Sequence, residues 1–409
     1  MDDMSAAPTG RPKLEGTAYG RPPAQPNHLL TQVGPGTPCG EYMRRFWQPV
    51  LTSELVTDHP REIRILGEDL LVFRDGSGRP GLLYPRCMHR GTTLLYGHVE
   101  PDGIRCCYHG WKFAVDGTCV DQPCEPAGGQ HKEAARQPWY PVQERYGLVW
   151  AYMGPPARMP VLPRWDVLEN LREDEYYQAV DNSWGAHRDP DGPEVVPYSW
   201  LHMNDNIMDP FHVQVLHSTF SVTQFVREFE VMPTVDFEYI DAGVIYKAYR
   251  DLKDGREVDR ISTWLAPNIM SVPATMLAAG PSTGMGFVVP VDDTHSRIVG
   301  VARMKKGDAR QPYRVNGKTW SQMSLEDRQD VPNDYEAQAG QGPVSLHSEE
   351  HLATSDRGIA MQRRALEREI RKVMEGSDPE GVILDPAREL VHVPSGNFFR
   401  QTQKTPEPA

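Results

Sequence analysis

Apolar and polar positions alternate with a period of two along several short runs in the first third of the chain, and each run ends in turn-forming residues. The segment REIRILGEDLLVF, from Arg61 to Phe73, is cut by Gly67-Glu68-Asp69 and predicts a hairpin; GLLYPRC follows it. Further strand-like segments lie at Trp111–Val115, at Val120 and at Gly147–Met153, with Asp102-Gly103 and Asp116-Gly117 as punctuation. Many short strands with turns between them predict a small all-β domain. From His28 to Leu51, Leu29, Leu30, Val33, Met43, Phe46 and Trp47 surround a Gly-Pro-Gly-Thr-Pro turn, and Gly40 to Trp47 predicts a short helix docking on those strands. The expected unit, helical extension included, is 28–155, preceded by a mobile tail over 1–27 that is rich in Pro, Gly, Ala and charge.

Gly154-Pro155-Pro156, with Pro160 and Pro163, reads as a linker that opens a second domain over 156–400, with 401–409 as a tail. Within it, FEYIDAGVIYKAYRD, DRISTWLAPNIMSVP and GMGFVVPVDDTHSRIVGVARM alternate as antiparallel strands of a curved sheet. In EEHLATSDRGIAMQRRALEREIRKVMEG, Ile359, Leu366, Ile370 and Val373 recur at helical spacing, Thr354 or Ser355 can cap the start, and Gly376 follows the end. The stretch from His187 to Pro197, HRDPDGPEVVP, reads as a surface insertion. The fold class is α+β.

At 409 residues the chain is long enough for two cored domains. Its net charge of −13 argues against nucleic acid or an anionic membrane surface as partner, so an anionic substrate would need a local basic pocket. No apolar run approaches the roughly 18–20 residues of a membrane span, and the start lacks a secretory layout, so a cytoplasmic location is expected. All six cysteines fall in the first third, too few for a disulfide framework, which suits a metal-binding domain in a reducing compartment. Cys107, Cys119 and Cys124 pair with no histidine by spacing and read as structural or incidental.

The remaining cysteines come with histidines. Cys87-x-His89 and Cys106-x-x-His109 are separated by sixteen residues and sit on two neighbouring loops. A Cys2His2 zinc fits this donor set, and so does a two-iron centre with thiolates on one iron and imidazoles on the other. A second constellation is Asp205-x3-Asp209-x2-His212-x4-His217. Two imidazoles with carboxylates nearby can form a facial triad on Fe(II) with positions open for oxygen. The plainer reading makes Asp209-Pro210 a helix start and the histidines core residues. At about 100° per residue, His212 and His217 would lie about 140° apart on a regular helix. If both bind one ion, a π-bulged or distorted turn, or a helix end, must lie between them.

Tyr108, Gly110, Trp111 and Phe113 around Cys106 and His109 write C-x-Y-H-G-W-x-F, and with it the chain resembles the Rieske non-heme iron aromatic ring-hydroxylating oxygenases, large (alpha) subunit. VGPGTP and EHLATSDRGI resemble most the phthalate, phenoxybenzoate and chlorobenzoate dioxygenase branch, and the similarity covers most of 29–400. The resemblance implies an all-β Rieske domain followed by a helix-grip (START-like) catalytic domain. It implies that Cys87, His89, Cys106 and His109 hold a [2Fe-2S] cluster, and that His212 and His217 bind a mononuclear Fe(II). Asp209 would bridge the Rieske histidine of a neighbouring subunit, His109 or His89, to that iron. Asp205 and Asn204 would orient the ligands. The third ligand is expected to be Asp356, in the first turn of the late helix, with Asp330 and Asp334 as alternatives.

The resemblance further implies use of O2, electrons drawn from NAD(P)H through a separate flavin/iron-sulfur reductase, an aromatic acid substrate and rings of three subunits. Arg250 and Arg260, in predicted strands, are candidates to hold a substrate carboxylate, against the ordinary reading of an outward surface charge; Arg227 is a weaker one. Met270, Met276, Met285 and Phe287 fit either a pocket lining or simple core. Rival functions are O-demethylation of a methoxylated aromatic acid, a Rieske electron carrier without oxygenase activity, and a zinc-binding interaction module.

Overall fold

The computed structural model describes residues 22–126, 129, 132–181, 189, 191–308, 312 and 314–401. The expected tails therefore lie mostly outside the described residues, as do 187, 188 and 190 of the expected insertion. The described chain is already tied down inside the stretch read as a tail. Gln25 N donates to Ser348 Oγ at 2.8 Å, and the Asn27 side chain caps the His28–Thr31 helix and donates to Glu367 at 2.9 Å.

The expected hairpin pairs Arg61–Ile65 with Glu68–Arg74 and adds Pro80–Leu83. Its turn is Leu66-Gly67, both at positive φ (51 and 76), the conformation a two-residue hairpin loop demands. Four short strands, His98–Glu100, Gly103–Arg105, Lys112–Phe113 and Cys119–Asp121, make a sequential antiparallel sheet. Leu71, Phe73, Leu83, Leu94, Ile104 and Phe113, with Cys87, Cys106 and Cys119, pack as the small core between the two sheets.

A third sheet, Trp47–Thr52 with Leu148–Tyr152 and Val142–Arg145, belongs elsewhere. Its Val50, Leu148 and Trp150 join the main core, where the Trp150 ring lies 4.9 Å from Phe287 and 5.5 Å from Trp165. One apolar interior thus runs across residue 155.

The second half is built on a nine-stranded antiparallel sheet with the path Glu175–Val180, Ser296–Lys305, Gly284–Pro290, Ile269–Ser271, Arg256–Leu265, Gly243–Asp251, Thr234–Ile240. Gly396–Gln401 pairs with the outer half of Arg256–Leu265. The sheet curls, which gives the α+β class read from the sequence. The helix Arg357–Met374 buries Met361, Ala365, Leu366, Ile370 and Val373 at three- and four-residue spacing. At about 1.5–3 kcal/mol for each large apolar side chain, this stripe fixes the helix on the Thr234–Ile240 and Gly243–Asp251 strands and on the Pro38–Met43 helix. Among the described residues, no helix is long and apolar enough to cross a membrane.

Candidate metal centres and substrate pocket

The two Cys-His loops are built alike. Gly91 N bonds to Cys87 O at 2.8 Å and Gly110 N to Cys106 O at 3.1 Å, each glycine four residues after its cysteine and at positive φ (77 and 72). The thiols turn inward: Cys87 and Cys106 are buried, and burial, with Cys106 beside it, pushes the Cys87 thiol up to about 11. The imidazoles sit at the rim, with ring centroids 4.6 Å apart and His89 stacked on Trp111 at 4.4 Å. Burial first, then His109 and Arg90, lowers the His89 pKa, which suits a neutral ligand imidazole. Among the described residues, no three of these four donors come close enough together to hold one ion. Paired thiols below and paired imidazoles above fit a two-iron cluster better than a tetrahedral zinc.

The second centre forms where helix Trp200–Ile207 gives way to the His212 segment. His212–Gln214 is a single α-turn that runs into a π-helical stretch, Val215–Thr219. This is the distortion that a five-residue histidine spacing required, and it brings the two rings to 5.5 Å. The His212, His217 and Asp334 ligand atoms all lie within 4.8 Å of one another. Asp334 Oδ1 is 3.5 Å from His212 Nε2 and 3.2 Å from His217 Nε2.

Each imidazole is also held from behind. His217 Nδ1 meets Gln224 Oε1 at 3.0 Å, and the Gln224 amide donates to Pro332 O at 2.8 Å. His212 Nδ1 faces Asp209 Oδ2 at 3.5 Å, while Asp209 Oδ1 accepts from the backbone N–H of Phe211 and His212. Nδ1 of His217 is thus hydrogen-bonded and Nδ1 of His212 lies beside a carboxylate, while both Nε2 atoms turn toward Asp334, where an ion could be shared. The His212 pKa is raised, Asp209 and Asp334 outweighing the opposing effect of burial.

Asp356 does not join this group. Its carboxylate accepts from Ala353 N at 2.7 Å and closes the Thr354–Asp356 turn that precedes the Arg357–Met374 helix, and it is Asp334 that lies beside the two histidines. Asp334 occupies the first turn of the helix Asp334–Ala339, where the Asn333 and Glu336 side chains form a capping box. Asp205 and Asn204 also miss the histidines. Asp205 pairs with Arg363 at 2.6 Å, and Asn204 is buried with neither amide atom bonded. Asn206 takes that position: its amide donates to Asp334 Oδ1 at 3.0 Å and lies 3.4 Å from His212 Nε2. Two residues along a helix is a turn of about 200°, so Asn204 and Asn206 point to opposite sides.

Asn206 and Gln224 were not singled out in the sequence; their only local signal is an amide close to an expected ligand. Gln224→Ala removes the Nδ1 contact of His217, and mononuclear iron affinity should fall about 10–100-fold. Chelator competition followed by metal analysis measures this.

A pocket of ≈ 30 Å³ opens beside His212, His217 and Asp334 and is lined also by Phe225, Phe229 and Arg260. Arg250 and Arg260 are 1 % and 3 % exposed, against the expectation of an outward charge. The alternation carries them inward: Val244, Tyr246, Ala248 and Arg250 share one buried face of their strand, and Val258, Arg260, Ser262 and Trp264 share one on the next. Both guanidinium carbons lie over the Phe229 ring, at 5.0 and 5.4 Å. Arg260 donates to Pro273 O, Ala274 O and Asn397 Oδ1, but its Nε is unbonded, as is one terminal nitrogen of Arg250. Burial lowers both pKa values against the opposing effect of the Tyr246 phenol, that of Arg250 to about 10 with Arg260 adding to the effect; among the described residues neither forms an ion pair with a carboxylate. Arg227 is exposed. Met270, Met285 and Phe287 are core, Met276 is 68 % exposed, and none of these four lines this pocket.

Two donor sets, one suited to an iron–sulfur cluster and one to a three-ligand metal beside a small pocket, define a two-centre redox metalloprotein. Residues 46–141 match the family described as the Rieske [2Fe-2S] domain. The chain is 55 % identical over 391 residues to the phenoxybenzoate dioxygenase subunit alpha of Ectopseudomonas oleovorans, covering 95 % of this chain and 96 % of that one. It is 34 % identical over 385 residues to the 5,5'-dehydrodivanillate O-demethylase oxygenase subunit of Sphingobium sp., covering 89 % and 84 %. The crystal structure of dicamba monooxygenase bound to dicamba superimposes with a TM-score of 0.58 at 16 % identity, covering 82 % of this chain and 99 % of that one, a likeness of fold. The chain belongs to the large (alpha) subunits of the Rieske non-heme iron oxygenases, in the phthalate, phenoxybenzoate and chlorobenzoate branch. It is an oxygenase with a Rieske cluster, a mononuclear iron and O2 as co-substrate.

Proposed function

We propose that this oxygenase component hydroxylates an aromatic carboxylic acid whose carboxylate is received by Arg260, with Arg250 behind it, and whose ring is held toward His212, His217 and Asp334. One observation carries this reading: Arg260 is a buried guanidinium that, among the described residues, forms no ion pair with a carboxylate and has the Tyr246 phenol as its titratable neighbour, in the same pocket as the three ligand residues. An unpaired buried cation costs several kcal/mol, and a carboxylate placed against it would recover much of that through charge-assisted hydrogen bonds. On a chain of net charge −13, such a pocket also draws an anion to one place. The phenoxybenzoate named for the relative of highest identity above fits this demand. A cavity of about 150 Å³ accommodates benzene, so a ring entering this ≈ 30 Å³ space must displace lining side chains. Phe225, packed 4.5 Å from the His217 ring, is placed to yield.

In the proposed assignment, Cys87, His89, Cys106 and His109, within 28–155, hold the cluster, and His212, His217 and Asp334, within 156–400, hold the iron. When bound, the cluster supplies single electrons and the iron, with positions left open by three protein ligands, supplies oxygen activation. Asn206 and Gln224 fix the ligand side chains. Asp209 holds His212 and joins it to His109 or His89 of a neighbouring subunit in a homotrimer, and a separate flavin/iron-sulfur reductase delivers the electrons.

Arg260→Gln tests the anchor. KM for phenoxybenzoate should rise about 30-fold or more, the 2–5 kcal/mol of a truncated buried charge pair, while turnover of the corresponding neutral amide changes little. An unchanged KM in a variant with full iron content would refute it. The named O-demethylase relative supports a second reading, oxidation of a methoxyl group; formaldehyde release from a methoxylated benzoate separates it from ring hydroxylation.

A further inference from the structure

The loop that carries Cys87 and His89 leaves the strand Pro80–Leu83 and pairs onward with the segment around Pro138, where Tyr84 N donates to Pro138 O at 2.9 Å. Proline has no N–H to return, so the backbone of this segment cannot continue the ladder there. The Gln137 side chain takes over. Its Nε2 donates to Tyr84 O at 2.7 Å and to Arg86 O at 2.8 Å, and its Oε1 accepts from Met88 N at 3.0 Å. Residues 84, 86 and 88 alternate around Cys87, so one amide grips the loop on both sides of the thiol-bearing residue. Gln137 is 0 % exposed, and its own N–H is tied to Gly117 O at 2.8 Å. Because a backbone N–H can only donate, Met88 also fixes which way the amide points.

Met88 N–H is thus committed to Gln137, while the next two backbone N–H groups, those of His89 and Arg90, act on the Cys87 thiol and oppose the effect of burial on it. An electron added at the cluster adds one negative charge beside the thiolates, and N–H donors aimed at sulfur favour that state. The second loop is held by a different residue: Arg105 Nη1 donates to Gly110 O at 2.6 Å. The two loops can therefore be disturbed separately.

We infer that Gln137 is a positioning residue of the Rieske centre, which holds the Cys87 loop with its N–H groups toward the sulfur and thereby raises the cluster's reduction potential. The inference rests on the assignment of Cys87 and His89 to the cluster. The test is a redox titration of the intact oxygenase with dithionite, followed by EPR, on Gln137→Met, which keeps the bulk and removes all three hydrogen bonds. The reduction equilibrium should fall at least tenfold, about 59 mV for a one-electron couple, with shifted g values of the reduced cluster. Amide hydrogen exchange should quicken over 86–90 and stay unchanged over 106–110. Cys87→Ala should lose the cluster. A cluster retained in Cys87→Ala would refute the assignment, and the inference with it. An unchanged potential in Gln137→Met, with the cluster lost in Cys87→Ala, overturns the inference alone. Should Gln137→Met not hold the cluster, Gln137→Asn, an amide one methylene shorter, should lower the potential in the same direction; loss of the cluster there as well would make Gln137 a structural residue and end the claim.

Discussion

Asp334→Ala should give a protein that keeps the red-brown cluster but holds about two irons per chain in place of about three, with product formation reduced at least about 1,000-fold. The expectation rests on geometry: one carboxylate oxygen lies 3.5 and 3.2 Å from the two facing imidazole nitrogens, and the residue is 3 % exposed. Two histidines alone make a poor iron site in competition with water and chelators. Asp356→Ala is the paired control. It removes the acceptor of Ala353 N–H and so should cost about 0.5–2 kcal/mol of stability, with iron content and turnover unchanged. Metal analysis and single-turnover assays on both variants decide the matter. Loss of the third iron in Asp356→Ala, with its retention in Asp334→Ala, would reverse the assignment.

Asp209→Asn should leave both metal centres loaded and slow product formation about 100-fold. The amide keeps the shape of the side chain and can still accept from Phe211 N and His212 N, so the turn persists. What disappears is the negative charge beside His212 Nδ1, at 3.5 Å. That charge, with Asp334, raises the His212 pKa, and the His212 interaction in turn lowers that of Asp209 against the effect of its burial. Rapid-mixing measurements should show normal reduction of the cluster by the reductase and slow re-oxidation in the presence of substrate and O2. Unimpaired re-oxidation would sink the bridging role.

The parts of the site that could be read from sequence are those whose partners are close in sequence. Each thiol-imidazole pair lies within four residues, so its loop announces the donor set. The π-helical stretch was legible because a five-residue histidine spacing is incompatible with one face of an α-helix. Asp334 was not legible in this way. It is 117 residues from His217, and only tertiary packing chooses among Asp330, Asp334 and Asp356. Helical phase was a poor guide to Asp356, because the residue ends a 3₁₀ turn just before the helix begins at Arg357, and the Ala353 N–H claims its carboxylate. Arg250 and Arg260 were readable in principle, since both continue an inward alternation; their charge argued the other way, and charge is a poor guide to exposure where the strand's phase turns a side chain inward.

The apolar interior that runs across residue 155 bears on how such chains can be recombined. Trp150 and Val50, carried by the first half, fill the same interior as Phe287 and Trp165. Severing the Pro-rich segment would leave raw apolar faces on both fragments, so the electron-accepting half is no detachable cassette. The small lobe around Phe73 and Ile104 has a core of its own, but the sheet that carries Phe73 also gives Ile65, Leu70, Val72 and Leu82 to the main interior, so a chimera that exchanges redox properties between relatives should leave that sheet with its own second half.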